Sequence, residues 1–167
     1  DLEAAAAHPA RVVVDSTAST PVYLRPLEHG ADFALHSATK FLGGHHDLLL
    51  GAVVCRTAED AARLGEFRGS AGIVAAPDPC WLLSRSLRTL RVRMERHTAS
   101  ATAIAEQLQA HPSVETVRYP GFGGLLSFDV ADGEAARRVE TSLGEIKNAT
   151  SLGGVESVLE SRTRWEG

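Results

Sequence analysis

Three short runs are apolar along most of their length instead of alternating: Arg11-Val12-Val13-Val14-Asp15, Ala31 to His36, and Leu48 to Cys55. A strand with one wet face alternates, whereas a strand buried on both faces reads as a continuous aliphatic run. Such burial needs a layer on each side of the sheet, so the pattern predicts buried parallel strands in an α/β arrangement. The intervals supply covering helices. Thr20-Pro21 has the form of an N-cap with proline at the first helical position, Pro26 divides the interval into two short helical turns, and Gly30 is a stop. Ala58 to Phe67 is expected to be a helix, with Gly69 beyond it.

From Asp78 onward the period changes. Leu83, Leu87, Leu90, Met94, His97, Ala101, Ile104 and Leu108 follow at spacings of three and four. This is one apolar stripe on a long helix, or on two nearly collinear ones, ending at His111-Pro112. Strands are expected at Val114 to Tyr119, Leu125 to Val130 and Glu145 to Ala149, with a helix over Gly133 to Leu143 among them. The first half thus reads as α/β and the second as α+β.

Composition removes several classes of function. With 17 basic and 21 acidic residues the net charge is −4, so no global field draws nucleic acid or an anionic membrane. No apolar run approaches the ~20 residues of a membrane span. Cys55 and Cys80 stand singly, without metal-ligand spacing, and read as reduced thiols. Adjacent His45 and His46 point apart in most backbones, so no metal is expected there. Arg85, Arg88, Arg91, Arg93 and Arg96 form a basic patch without interleaved aromatics, read as a solvated or subunit-facing helix surface. The sequence begins at Asp1 and stops at Trp165-Glu166-Gly167, and reads as a piece of a longer protein.

Polar groups end two of the apolar runs: Asp15 after the valines, and Ser37-Ala38-Thr39-Lys40 after Phe33-Ala34-Leu35-His36. In open α/β sheets ligands bind beyond the carboxyl ends of the strands. Parallel strands would therefore bring Asp15 and Lys40 to one edge. A lysine that can hold an aldehyde carbon, a carboxylate for a pyridine nitrogen and hydroxyls for a phosphate suit pyridoxal 5'-phosphate. Spacing alone leaves the bland alternative open, a turn carrying a solvated lysine.

The stretch "VVVDSTASTPVYLRPLEHGADFALHSATKFLGGHHDLLLGAVV" resembles the core of the Cys/Met-metabolism, or trans-sulfuration, family of pyridoxal-phosphate enzymes. The likeness continues through "LLSRSLRTLRVRMERHTASATAIAEQLQAHPSVETVRYPG", "FGGLLSFDV" and "ATSLGGVES". It implies a fold-type-I transferase, with residues 1–96 from the large cofactor domain and 97–167 from the smaller C-terminal domain. It also implies that Lys40 carries the cofactor, Asp15 meets the pyridine nitrogen, Ser37 and Thr39 meet the phosphate, and Thr17 lies beside the ring. Ser151 is implied near the lysine and the substrate carboxylate, and Thr150 at a position that sorts substrates. Carbon–sulfur cleavage or γ-replacement on a sulfur amino acid such as cystathionine follows, in a cytoplasmic homo-oligomer of the tetrameric type.

There are departures. Ser16 stands where the family usually has Asn, Ser86 where it has Gly, and Gly121 meets Phe122 where an extra loop and helix are common. A phosphate-binding loop, a stacking tyrosine and a carboxylate-binding arginine expected of the family have no counterpart in residues 1–167. The chain by itself is accordingly expected to be inactive. A non-catalytic fragment acting only through subunit association is the rival reading.

Overall fold

The computed structural model describes residues 2–163; Asp1 and residues 164–167, which include the Trp165-Glu166-Gly167 end named above, lie outside the described residues. Helix α1 (Leu2–Ala6) is followed by strand β1 (Val13–Asp15), helix α2 (Thr20–Tyr23), a 3-10 turn (Pro26–His29) and strand β2 (Phe33–Ser37). The two short helical turns expected around Pro26 are present, and Gly30 ends the second at φ 90°. Strand β3 (Gly51–Cys55) and helix α3 (Ala58–Ser70) complete this part.

β2 lies in the middle of a three-stranded sheet of order β1-β2-β3. It runs parallel to β1, with Asp15 opposite Leu35, and antiparallel to β3, with Ser37 opposite Gly51. The expectation of three parallel strands is therefore corrected at β3. The expected burial of all three runs is corrected as well, since Val13 on β1 and Val53 and Val54 on β3 are about half exposed and the central β2 is the best covered. An apolar run carries no information on strand direction. The short Lys40 to Leu50 connection cannot hold a crossover of a dozen or more residues, so the chain returns antiparallel.

The end of the sheet away from Lys40 is tied by charge. Asp32, 5% exposed, accepts from Arg11 at 2.9 Å, Arg56 at 2.6 Å and the Val12 amide at 2.8 Å. The Val12 amide and the two guanidiniums hold its carboxyl below the usual range, against the opposing pull of burial. Arg11 also meets Asp60, which Thr57 engages as the N-cap of α3.

The periodic stripe becomes two helices, α4 (Pro77–Leu87) and α5 (Leu90–Gln109). Leu90 and Met94 are buried with Phe41, packed by Val22, Tyr23 and Leu152. Leu87 is 41% exposed, which corrects the expectation of a continuous buried stripe. Ser86, 4% exposed, is the inward residue in its place, just before the break at Arg88-Thr89 that puts the buried positions out of phase with the stripe. Farther along, Ala105 replaces Ile104 as the inward residue. Strands β4 (Thr116–Arg118) and β5 (Ser127–Asp129) pair antiparallel, α6 (Gly133–Ser142) follows, and β6 (Lys147–Asn148) pairs parallel with β7 (Val158–Leu159). Where the expected extra loop is absent, Gly121 turns at φ 88° straight into Phe122, whose ring lies 5.1 Å from that of Tyr23.

Truncating Leu90 to Ala should cost ~2–5 kcal/mol, as for other fully packed core leucines. Leu87→Ala should cost well under half as much, because its side chain is already wet. Denaturant midpoints of the two variants check this, and equal losses would refute the phase break.

Candidate active site

Lys40 closes a tight turn after β2. Its amide donates to the Ser37 carbonyl at 3.1 Å, and the Gly43 and Gly44 amides return to Ala38 and Lys40 at 2.8 and 2.7 Å. Ala38 and Phe41, on either side of the lysine, are 0% and 1% exposed, while Lys40 itself is half-buried. The side chain is thus pushed outward by the burial of its neighbours. Its Nζ donates to Ser151 Oγ at 3.1 Å, across 111 residues of sequence. The backbone of the same loop reaches the same turn. Gly153 sits at φ 87°, and a Cβ there would lie 2.6 Å from the Lys40 carbonyl carbon and against the Phe41 nitrogen.

Asp15 ends β1, beside β2. Hydrogen bonds from Thr17, side-chain and backbone, hold its carboxyl below the usual range, so it is a carboxylate at neutral pH. The backbone bond is 2.9 Å. The Thr17 hydroxyl also accepts from the Ser37 amide at 2.8 Å, joining the end of β1 to the lysine turn. Ser37 and Thr39 line an open groove of about 1100 Å³ with Gly51, Val53 and Phe67. The Thr39 hydroxyl closes on the Leu50 backbone, accepting from its amide at 3.1 Å and donating to its carbonyl at 3.4 Å.

The structure thus links Asp15 to Thr17 and Thr17 to the Ser37 turn, and separately brings Lys40 to Ser151. Ser37 and Thr39 line the groove, whereas Asp15, Thr17, Lys40 and Ser151 are not among its lining residues. Thr150 is exposed beside Ser151. The histidine pair does diverge: His45 Nδ1 meets the Gly43 carbonyl at 2.8 Å, and His46 lies 3.7 Å from Glu156. Of the arginine patch, Arg85, Arg88, Arg91 and Arg96 are exposed, but Arg93 turns inward. That correction follows from its acceptors, the carbonyls of Phe41, Leu42 and Ser86. Sequence reasoning missed it, because helical period assigns a face but does not reveal a loop docking there.

Buried His36 and half-buried His97 flank the site. His36, 7% exposed, and His97 each keep one ring nitrogen, Nδ1 and Nε2 respectively, without a hydrogen-bond partner among the described residues. His97 is half-buried on the stripe, with its Nε2 lacking a partner among the described residues. Its ring stands edge-on to Phe41 at 5.4 Å. Burial pushes both imidazoles below their ordinary value of 6.5; the Ser16 backbone and Asp15 oppose this at His36, and Arg93 adds to it at His97.

The donor set fits pyridoxal phosphate. A half-buried amine, a carboxylate held ionised, and two hydroxyls on one groove are the groups that such a cofactor engages. Among the described residues no group of three or more His, Cys, Asp or Glu could hold a metal ion.

Comparison with known proteins agrees with this chemistry. The profile of the Cys/Met metabolism PLP-dependent enzyme family matches residues 2–165. A cystathionine beta-lyase from Lactococcus lactis is 41% identical, covering 93% of this chain and 45% of the relative. A cystathionine gamma-synthase from Haemophilus influenzae is 43% identical, covering 91% of this chain and 41% of that protein. The solved structure of a cystathione gamma lyase from Micromonospora echinospora superposes with a TM-score of 0.94 at 37% identity, over 99% of this chain and 49% of its own. The chain thus spans about half the length of the proteins it matches.

Two outcomes test this geometry. Gly153→Ala should destabilise by ~1–3 kcal/mol through overpacking, with backbone strain added, as read from thermal or denaturant unfolding. Stability should also fall as pH drops below 6.5, because the unfolded state then binds protons that His36 and His97 refuse. Above 6.5 both states leave these rings neutral and the contribution vanishes. A His36→Gln, His97→Gln double variant should flatten this leg of the curve. A leg of unchanged slope would show that the histidines are not its source.

Proposed function

The chain belongs to the Cys/Met metabolism family of PLP-dependent enzymes, and on that premise we propose that it acts in carbon–sulfur bond cleavage or γ-replacement on a sulfur amino acid. Cystathionine is the proposed substrate, since it is named in each of the two curated relatives above. The observation that carries the reading is the convergence of Lys40, its Nζ 3.1 Å from Ser151, with an ionised Asp15 at the ends of two adjacent parallel strands.

On this reading Lys40 holds the cofactor, Asp15 meets its ring nitrogen, Thr17 lies beside the ring, and Ser37 and Thr39 bind the phosphate. The bound cofactor supplies an electron sink for charge developing at the substrate α-carbon. The protein's own groups do the rest. Asp15, kept charged by Thr17, stabilises a proton on the ring nitrogen. Lys40 Nζ, once released, takes the proton from the α-carbon and moves protons to and from the β-carbon as the sulfur substituent leaves or is replaced. Ser151 directs that amine through the bond it already makes. With Thr150 next to it, Ser151 stands where a substrate carboxylate would enter.

The working form is proposed to be a cytoplasmic homo-oligomer, with residues 1–96 in the cofactor domain and 97–167 in the smaller one. Association is supported by half-exposed Val13, Val53 and Val54 on strands β1 and β3. No described helix is long and apolar enough to cross a membrane.

Borohydride reduction of the cofactor-loaded protein should fix pyridoxyl mass on the peptide holding Lys40. The sequence contains one other lysine, Lys147, and label there would sink the assignment. Asp15→Asn should retain cofactor but slow α-proton exchange by roughly 100-fold or more. Activity within a few-fold of wild type would remove Asp15 from this role. Parallel assays of the full-length protein with cystathionine, methionine and homoserine esters fix the substrate, and no turnover of cystathionine by that protein overturns that part of the proposal.

A further inference from the structure

The inward arginine of α5 is unusual in what it binds. Arg93 Nη1 donates to the Phe41 carbonyl at 2.7 Å, Nη2 to the carbonyls of Leu42 at 3.3 Å and Ser86 at 3.0 Å, and Nε to the Thr89 hydroxyl at 3.1 Å. Every acceptor among these is neutral. Burial lowers the pKa of this guanidinium, and among the described residues no carboxylate pairs with it, so the fold sets a cation in a partly dry place facing carbonyls. Side-chain packing alone would be met by an apolar residue at this position. A rigid fork of donors is what several carbonyls at fixed spacing require.

Two of those carbonyls belong to the residues directly after Lys40. The lysine turn uses the Ser37, Ala38 and Lys40 carbonyls internally, which leaves those of Phe41 and Leu42 to be satisfied from outside. Arg93 satisfies both. Gly44, at φ 71°, allows this approach, because a Cβ there would collide with the guanidinium. On the other side the bare backbone of Gly153 presses against the Lys40-Phe41 peptide. The peptide that sets the direction of the lysine side chain is therefore held between a cationic fork and a glycine.

We propose that Arg93 is a positioning residue for Lys40: by holding the Phe41 and Leu42 carbonyls it fixes the lysine Cα, and so aims Nζ at the cofactor and at Ser151. This rests on the reading of Lys40 as the cofactor lysine. A purely structural role, stapling the α4–α5 break to the turn, would instead act only through stability.

The test uses the cofactor-loaded protein and its apo form. Arg93→Met, Arg93→Lys, Leu90→Ala and Arg91→Met are compared with wild type. Leu90→Ala loosens the same Phe41 core without touching a carbonyl, and Arg91 is exposed and paired with Glu95. Three quantities are read: the unfolding midpoint, the rate at which apo-protein captures added pyridoxal phosphate, and the pH midpoint of the lysine-bound visible band. Arg93→Met should slow capture by about ten-fold or more and move the pH midpoint by about one unit, the effect expected from losing charge-assisted bonds. Arg93→Lys should recover part of both. Leu90→Ala should leave both near wild type despite a lower unfolding midpoint, and Arg91→Met should change none of the three.

Equal movement of capture and pH midpoint in Arg93→Met and Leu90→Ala would overturn the proposal, as would no movement in Arg93→Met. Should Arg93→Met fail to fold, Arg93→Lys decides alone. It keeps the charge but not the fork, and unchanged capture in it refutes the proposal. Borohydride labelling of wild type separates the two levels: label away from Lys40 defeats the functional reading, whereas label on Lys40 with unmoved variants defeats only the role of Arg93.

Discussion

The internal hydrogen bonds of the turn around Lys40, with Ala38 and Phe41 buried on either side, are the constraint on which the site depends. Phe41 is 1% exposed and Ala38 is 0% exposed, so the turn between them has no freedom to roll. A lysine placed between two such anchors must project toward the strand ends. Anchoring by apolar neighbours leaves the amine itself unencumbered, since no carboxylate is needed to hold it. The polar tether to its Nζ among the described residues, Ser151, is a neutral hydroxyl that can release it. A salt bridge in that place would hold the amine protonated and make it a poorer base.

The two ends of the sheet carry different duties. At one end, Asp32 and Asp60 face Arg11 and Arg56 in a network where opposite charges are matched and partly buried. At the other, Asp15 makes no salt bridge among the described residues and is held ionised chiefly by hydrogen bonds from neighbouring Thr17, with a smaller contribution from His36. A carboxylate satisfied by a guanidinium has little field left for a ligand. One satisfied by a neutral hydroxyl and amide keeps its charge available. The same economy appears in the histidines, which stay neutral next to the site and so do not compete with Lys40 or cancel Asp15.

Much of this was legible in the sequence, and for definite reasons. Asp15 and Lys40 each end an apolar run, and a polar residue at such a place is visible as a break in pattern. Ser151 was placed by resemblance; nothing in its own neighbourhood of turn residues says that it meets a lysine 111 positions away. The antiparallel course of β3 was not legible, because an aliphatic run is the same read in either direction. The exposure of Leu87 was hidden for a related cause. Spacings of three and four continue through Arg88-Thr89 although the helix axis does not, so the period outlives the element that produced it. The five-residue α1 and the two-residue β7 are too short to show any period.

Arg93 shows a deeper limit. Five arginines at similar spacings look alike in sequence, and four of them are exposed, as a solvated or subunit-facing surface requires. What distinguishes the fifth is the shape of something distant: two carbonyls left over by a turn around Lys40, and a glycine that lets a guanidinium approach them. Unsatisfied backbone acceptors carry no residue signature, since every residue has a carbonyl. A demand of that kind becomes readable only when the turn's internal hydrogen bonds can be counted. The residues that supply a site's chemistry are therefore easier to read from sequence than those that satisfy its backbone. Here the glycines near the lysine were the available hint. Gly44 and Gly153 each stand where any side chain would collide with the turn or with its clamp, and close approach is the reason for both.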